Sequence, residues 1–256
     1  MNTFTFSPEG WGKESITNKK DILQGIVEDC DKDYNLHVKL DNDKVGIIPR
    51  EEIEAINLDK DGFPKTNLCV GKVHKYVQFK VKEKDGDKFI LSRKDVQNEV
   101  LNCIKNDLQV GQTVNGIVKN ITPYGAFIDI GGGVVGLVHI EDLSVARIKT
   151  PFERIKIGQK LNIVVKYIDR NTGKVNLSYK ELLGTWEENV HNFEIGMETK
   201  GIVRETEKSK NGIFIELTPN LVGMSEYREG LNYGEKIDVK IKKIDYDRKK
   251  IKLIIM

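Results

Sequence analysis

The chain has 256 residues, of which 39% are hydrophobic and 31% are charged, and its formal net charge is +2. This composition suits two or three small domains with modest cores. No apolar run approaches the ~18 residues of a membrane span, and the N-terminus lacks the pattern of a signal peptide, so we expect no membrane partner. The three cysteines are far apart and odd in number, which favours reduced thiols in a cytoplasmic protein over a disulfide framework.

A repeated pattern of short strands runs along the chain. The same Gly-Ile-Val triplet begins at Gly25, Gly116 and Gly201, and each triplet leads into an alternating strand, a glycine-led strand, a glycine-containing turn and a closing strand. Alternation with period 2 is typical of half-buried strands, and self-similarity of this kind decides the architecture. The sequence predicts an all-β protein of three tandem five-stranded barrels, because closure removes exposed sheet edges. The barrels cover residues 19–95, 110–180 and 196–256.

Short helical connectors are predicted between the barrels, because apolar residues recur there at helical spacing. The two stripes are Val96, Val100, Cys103 and Ile104, and then Leu182, Leu183, Trp186 and Val190. Gly184 weakens the second stripe, and the place of Trp186 on it favours packing over base stacking. We expect three domains: residues 1–95 (a first barrel with an N-terminal extension), 96–181 (a leading helix and the second barrel) and 182–256 (a connector and a shortened third barrel).

The second repeat places a large ring on the wet face of a strand. From Phe127 to Ile130 the order is aromatic, apolar, acidic, apolar. Alternation sends Ile128 and Ile130 to one face, and Phe127 and Asp129 to the other. A single exposed aromatic is normal, so this ring becomes informative only with its neighbours.

Those neighbours form a row of rings. Gly125 precedes Phe127, where a strand glycine often marks a bulge or a close backbone approach, and a bulge would turn Tyr124 to the side of Phe127. The glycines at 131–133 supply a tight reversal, and the next strand ends at His139. Rings on an open sheet face are what unstacked bases require.

The order and spacing of these blocks resemble the S1-type RNA-binding domain, a five-stranded OB-fold barrel named after the ribosomal protein in which it recurs. The similarity covers residues 110–180 and includes G-I-V, Y-G-A-F-I-D-I, G-L-V-H-I-E-D-L, I-G-Q-K-L and Y-I-D-R-N-T-G-K-V-N-L-S. In that family, two aromatics of the second strand, a histidine of the third, and an aspartate and a basic residue near the fifth contact RNA. The resemblance implies this role for Tyr124, Phe127, His139, Asp169 and Lys174.

Other roles stay open for three of these residues. Asp169 begins the turn D-R-N-T-G-K, where an aspartate commonly caps its own backbone. Lys174 is either a phosphate contact or a solvated lysine. His139 is expected to contact RNA, with a structural role or a general base as alternatives. The repeat carries ten basic and five acidic side chains, and a local positive surface attracts phosphates.

The first repeat departs from the family pattern. Tyr34 and His37 stand at the ring positions, Pro49 replaces the histidine, and Glu83 replaces the aspartate, while Lys88 keeps a basic group. Residues 19–95 carry sixteen basic and sixteen acidic side chains. Because leading repeats of similar ribosomal proteins tend to dock onto protein, we expect weak RNA contact here and a possible contact with the small ribosomal subunit.

The third repeat keeps part of the pattern. Phe214 is in the outward register, and Lys250 matches the basic residue of the last strand, whereas Glu226 falls at the histidine position. We expect Phe214 and Lys250 to bind RNA weakly and mostly electrostatically. The alternative is a solvated strand face.

Motifs of catalysis are missing from the sequence. There is no phosphate loop, no nucleophile elbow, and no paired spacing among the histidines that would hold zinc. We therefore expect no metal, no cofactor, no small-molecule substrate and no enzymatic activity.

The sequence favours a non-enzymatic protein that holds single-stranded RNA, with mRNA as the expected ligand, in a role linked to translation. Sequence preference should be weak, because no array of base-edge readers is visible. Two alternatives remain: a scaffold whose barrels contact other proteins, and an accessory RNA-binding subunit of an RNA-processing or RNA-decay enzyme.

Overall fold

A computed structural model of the protein describes residues 3–4, 22–40, 44–85, 88–205 and 212–256. A two-residue strand, β1 (Thr3–Phe4), precedes the first barrel, which comprises β2 (Leu23–Cys30), β3 (Leu36–Lys39), β4 (Val45–Ile48), β5 (Tyr76–Asp85) and β6 (Lys88–Ser92). The barrel closes in the order β2-β3-β4-β6-β5, with β4 and β6 parallel and the other neighbours antiparallel. A short helix, α1 (Thr66–Val70), lies between β4 and β5.

The first barrel is held by aliphatic side chains that alternate inward. Val27 pairs with Val38, and Leu36 pairs with Ile48, so all four side chains meet inside the barrel with Phe79. Each such side chain contributes ~1.5–3 kcal/mol when it leaves water. Because alternate side chains of each strand point inward, the closed barrel surrounds an apolar core.

The first connector is a continuous helix, α2 (Arg93–Asn106), as predicted. It begins at Ser92, whose hydroxyl accepts a hydrogen bond from the Asp95 amide at 3.0 Å, which satisfies a backbone donor that the helix leaves free. All four residues of the predicted stripe are buried: Val96, Val100, Cys103 and Ile104. At the other end, the Arg170 guanidinium donates to the carbonyls of Ile104 and Leu108.

The second barrel comprises β7 (Thr113–Thr122), β8 (Gly125–Gly131), β9 (Val134–His139), β10 (Lys160–Asp169) and β11 (Lys174–Ser178). Its strand order is β7-β10-β11-β9-β8, and β7 also pairs with β8 to close it. The strand β1 pairs in parallel with β7. By internal contacts the chain forms two compact units, one of residues 1–116, 129–136 and 168–175, the other of residues 117–128, 137–167 and 176–256. The three predicted domain boundaries stay a prediction.

The second connector differs from the predicted stripe. A 3-10 helix covers Lys180–Leu183, and the α-helix α3 (Trp186–Val190) begins only after Gly184, whose φ is 81°. With a ψ of 158°, this is a conformation that essentially only glycine adopts. It does not continue a helix, so the stripe is split in two. Trp186 packs against the core of the third barrel and against the Tyr246 ring, with centroids 5.8 Å apart, which confirms its packing role.

The third barrel comprises β12 (Glu198–Glu205), β13 (Ile213–Thr218), β14 (Leu221–Ser225), β15 (Lys236–Asp245) and β16 (Lys250–Ile255). It closes in the order β12-β13-β14-β16-β15, the same order as the first barrel. The predicted all-β fold of three five-stranded barrels is confirmed. None of the helices in the ranges described above combines the length and the apolarity that a membrane crossing needs.

Candidate nucleic-acid interface

The two rings of the second barrel lie together outside the core. Strand β8 buries Ala126, Ile128 and Ile130 completely, while Phe127 is partly exposed. Tyr124 lies in the turn before β8 and is 51% exposed. The Tyr124 and Phe127 rings meet edge to face, with centroids 6.3 Å apart, an arrangement that aromatic pairs prefer. The predicted register of β8 is confirmed, and neither ring belongs to the buried core of the barrel.

Gly125 permits this arrangement because the backbone passes very close to it. A Cβ atom at Gly125 would lie 2.2 Å from the Val138 carbonyl oxygen and 3.2 Å from the Cα of His139. The Ile140 amide donates to the Tyr124 carbonyl at 2.9 Å. The close approach that the sequence predicted is confirmed, and it brings the Tyr124 turn beside the end of β9, where His139 stands.

His139 is exposed and has one ring nitrogen engaged. Its Nδ1 accepts a hydrogen bond from the Glu141 amide at 3.4 Å and lies 3.8 Å from the Glu141 carboxylate. When Nδ1 accepts, the proton of the neutral ring sits on Nε2. His139 therefore presents an N–H donor to solvent beside two exposed rings, which suits a 2′-hydroxyl, phosphate or base acceptor.

Asp169 caps its own turn. One carboxylate oxygen accepts from the amides of Asn171 and Thr172 at 3.0 and 3.3 Å, and the other accepts from the Thr172 hydroxyl at 2.5 Å. These bonds, that of the Thr172 hydroxyl first, lower the pKa of Asp169 from its ordinary value. In the third barrel Asp245 accepts the Arg248 amide in the same way. The structural alternative for Asp169 is thus realised, and its contact with RNA stays a prediction.

Lys174 begins β11 and is exposed, as a phosphate contact requires. Lys174 and Asp169 belong to the first of the two compact units, whereas Tyr124, Phe127 and His139 belong to the second. A single site that includes all five residues therefore stays a prediction.

The third barrel brings Phe214 and Lys250 to one cavity. Phe214 is 37% exposed between the fully buried Ile213 and Ile215, so the predicted outward register is confirmed. Met224 is directly opposite Phe214 on β14 and is also exposed. Both side chains and Lys250 line a cavity of about 580 Å³.

The same cavity includes two residues of the second barrel that the sequence did not indicate. Val145 and Arg147 come from the loop after β9 in the second barrel, yet they line the cavity of the third. An exposed arginine in a loop carries no signal of its own. Only the contacts between this loop and the third barrel could have identified it, and those contacts are not encoded in any local pattern.

A buried set of charges accompanies this contact. Arg204 donates to Glu216 at 2.5 Å and also pairs with Glu153, and Arg154 donates to Glu216 at 2.6 Å. The Tyr233 hydroxyl donates to Glu153 at 2.8 Å. Burial alone would raise the pKa of Glu153, but the bonds from Tyr233, Lys149 and Arg204 outweigh it and lower that pKa. Because every charge has a partner, the set joins the two barrels without an uncompensated buried ion.

Within the described ranges, no group of three or more His, Cys, Asp or Glu side chains is placed to hold a metal ion. The cavity is lined by apolar side chains, by several cations and by the carboxylate Glu205, and this excess of cations suits a flat apolar group that carries a negative charge.

Residues 107–180 match the family model described as S1 RNA binding domain. The chain is 34% identical over 197 residues to the small ribosomal subunit protein bS1 of Staphylococcus aureus (strain MRSA252). This alignment covers 70% of this chain and 50% of that protein. It is 30% identical over 186 residues to the protein of the same name from Chlamydia muridarum, which covers 68% of this chain and 32% of that protein. The chain thus spans half the length of the first relative and about a third of the second.

Two solved structures are also similar. The solution structure of GSP13 from Bacillus subtilis is 29% identical and covers 30% of this chain and 58% of its own, with a TM-score of 0.29. A multidomain protein with nucleic acid binding domains from Streptococcus pneumoniae is 16% identical and covers 92% of this chain and 73% of its own, with a TM-score of 0.27.

Proposed function

We propose that this chain, which belongs to the S1 RNA-binding domain family, binds single-stranded RNA without acting on it chemically and does so in translation, with mRNA as its ligand. The observation that supports this most directly is the Tyr124–Phe127 pair, which stays outside a complete aliphatic core. Exposed His139 stands at the end of the neighbouring strand. The buried core beside them is filled by aliphatic side chains and does not include either ring.

The energy of binding would come from stacking and from charge. A base stacked on an aromatic ring contributes ~1–3 kcal/mol, so two rings suffice for a measurable complex. The excess of five basic over acidic side chains in residues 110–180 attracts phosphates and releases counterions. Lys174 would add one such contact, and Asp169 would act by holding the turn before it. Sequence preference would be weak, because stacking accepts every base.

The test is a titration of the full chain with a fluorescent single-stranded RNA at two salt concentrations. The double variant Tyr124→Ala, Phe127→Ala should weaken binding at least roughly fivefold, in line with the loss of stacking, and should leave the melting temperature nearly unchanged. Tyr76→Ala is the control, because Tyr76 is 70% exposed but lies on the electrically neutral first barrel. Equal affinity of wild type and double variant would refute the proposal.

A second role, in docking, is proposed for the first barrel. Residues 19–95 have no net charge, which gives RNA little attraction but does not hinder contact with protein. The small ribosomal subunit is the candidate partner. Cosedimentation with purified small subunits tests this: the Tyr124→Ala, Phe127→Ala variant should still cosediment if the first barrel docks, and should be lost if RNA alone holds the chain.

A further inference from the structure

The cavity beside Phe214 is built by two barrels. Its floor comes from strands β13, β14 and β16, with Phe214, Met224 and Ile251 as apolar members. Its remaining wall comes from the second barrel, where Val145 and Arg147 stand in the loop after β9. Its volume of about 580 Å³ is in the range of ordinary small-ligand sites. We call this cavity the junction cleft.

The loop that forms the wall is fixed to the third barrel. The Ala146 amide donates to the Pro219 carbonyl at 2.9 Å, and the Val145 amide donates to the Asn220 side chain at 3.1 Å. The Asn220 amide group in turn donates to the carbonyls of Lys180 and Gly184. Because the turn between β13 and β14 holds the loop backbone through these bonds, the backbone of the wall is preorganised, which reduces the ordering entropy that binding costs there.

The apolar part of the junction cleft is open to solvent. Val145 is 59% exposed, and Phe214 and Met224 keep more than a third of their surface in water. Three apolar side chains from two barrels therefore converge on one space without covering it. A flat apolar ligand that enters between them would remove this surface from water.

The charged part is mostly cationic. Lys250 and Lys252 join Arg147 around the cleft, together with Lys249, which also pairs with Glu187 at 2.6 Å. The carboxylate that lines the cleft is Glu205, at 3.9 Å from the Arg147 guanidinium. Arg204 also lines the cleft, but its charge is engaged by Glu153 and Glu216. The excess of positive charge attracts an anion to the rim of the cleft, above its apolar floor.

We propose that the junction cleft binds one nucleotide of the single-stranded RNA, with its base between Val145, Phe214 and Met224 and its phosphate beside Arg147. This inference rests on the proposed function, and it adds residues of a second barrel to the RNA contact already expected of Phe214 and Lys250. It makes Arg147 and Val145 of the second barrel binding residues of the third. A strand long enough to reach both the ring pair and the junction cleft gains avidity, since the second contact becomes intramolecular.

The test compares a short and a long oligouridine on the full chain. A tetranucleotide fills the smallest OB-fold site, of about 4 nucleotides. A dodecanucleotide is three times as long and can reach a second site. Arg147→Gln should weaken binding of the dodecanucleotide roughly three- to tenfold and reduce the salt slope by about 0.7, the loss of one phosphate contact. It should leave tetranucleotide binding and the melting temperature unchanged, because the Arg147 side chain is 82% exposed. Arg228→Gln is the matched control, an arginine of the third barrel outside the cleft.

A second variant, Phe214→Ala, tests the apolar floor. It should weaken binding of the dodecanucleotide at least roughly fivefold. If Tyr124→Ala with Phe127→Ala weakens binding while Arg147→Gln and Phe214→Ala do not, the junction cleft is refuted and the proposed function stands. If wild type does not bind RNA, both are refuted. If polyglutamate displaces the dodecanucleotide and Arg147→Gln weakens polyglutamate as much as RNA, the cleft is a site for acidic peptides, and the nucleotide proposal is wrong.

Discussion

The Arg50 guanidinium lies over the Tyr34 ring, 5.2 Å from its centroid, in the barrel whose ring positions are altered. Its other neighbour is Phe63, at 5.1 Å. The same guanidinium donates to Asp59 at 3.3 Å and to the Pro64 carbonyl at 3.2 Å. A cation of the chain itself thus stacks on the first ring position of this barrel, where a base would otherwise stack. This stacking is a physical reason for the weak RNA contact that the sequence predicts for residues 19–95.

Replacement of this cation should loosen the loop around it. Arg50→Ala removes two cation–π contacts, each worth ~0.5–1 kcal/mol at partly exposed sites, and two hydrogen bonds. We expect faster amide hydrogen exchange in residues 57–65 and a loss of ~1–3 kcal/mol in the local opening free energy. Lys60→Ala, in the same exposed loop, is the control, and equal exchange rates in wild type and Arg50→Ala would contradict this role. A gain of RNA affinity in Arg50→Ala would further show that Arg50 shields a usable ring.

The barrels and the strand registers could be predicted from the sequence because they depend on local alternation. The side chains at 126–130 and 213–215 alternate as the pattern requires, and strict period 2 leaves one way to bury them. The junction cleft could not be predicted in this way. It depends on where the loop at Val145 meets Asn220, seventy-five residues further along the chain, and no local periodicity reports such a contact.

The roles of single polar residues were also only partly predictable. The sequence allows either RNA contact or turn capping for Asp169, and the hydrogen bonds that it accepts from Asn171 and Thr172 show turn capping. The second connector is not one continuous helix, because Gly184, with a φ of 81°, interrupts the helix that the apolar pattern predicts. Both outcomes follow from the backbone, which a hydrophobic pattern does not describe.

Gly125→Ala should damage the interface through the backbone. The new Cβ would meet the Val138 carbonyl oxygen at 2.2 Å, and a backbone atom of a paired strand cannot move aside without opening the sheet. We expect a loss of ~1–3 kcal/mol or more in the free energy of unfolding and weaker RNA binding, measured by denaturant titration and by fluorescence. Gly223→Ala is the comparison, because the three atoms nearest to its new Cβ belong to the Leu253 side chain rather than to the backbone. Equal stability of Gly125→Ala and wild type would contradict the close approach.

Glu216→Gln should show that a buried ion pair contributes more to the free energy of unfolding than an exposed one. Glu216 is 4% exposed and accepts from both Arg154 and Arg204. Removal of one partner from a buried pair costs ~3–5 kcal/mol, because it leaves uncompensated charge. The control, Glu198→Gln, breaks an exposed pair with Lys240, and should change stability by less than about 1 kcal/mol. Equal effects of the two variants in denaturant titrations would mean that the barrels do not depend on the buried set.

The three thiols should react at different rates. Burial, with a smaller contribution from Asp107, raises the pKa of Cys103 to about 11, and Cys69 is fully buried. Cys30 is partly exposed, although burial and nearby acidic groups raise its pKa as well. Because the thiolate is the nucleophile, we expect Cys30 to be alkylated first and slowly at pH 8, and all three only after denaturation. Peptide mass spectrometry gives the order, and early alkylation of Cys103 would contradict its burial.

Acid should unfold the second barrel through Asp142. Burial alone would raise the pKa of Asp142, but hydrogen bonds and charges from Lys166 and Lys180, at 2.7 and 2.9 Å, outweigh it and hold that pKa below the ordinary value. A depressed carboxyl pKa stabilises the fold above the unfolded pKa of about 4, and that stability is lost as the pH falls further through the folded value. We expect the denaturant concentration at the unfolding midpoint to decrease once the pH is lowered below about 4. Asp142→Asn should lower the midpoint at neutral pH and flatten its dependence at acid pH, whereas Glu141→Gln, whose side chain is 84% exposed, should do neither. An unchanged acid slope in Asp142→Asn would assign the effect to other carboxylates, Glu153 first among them.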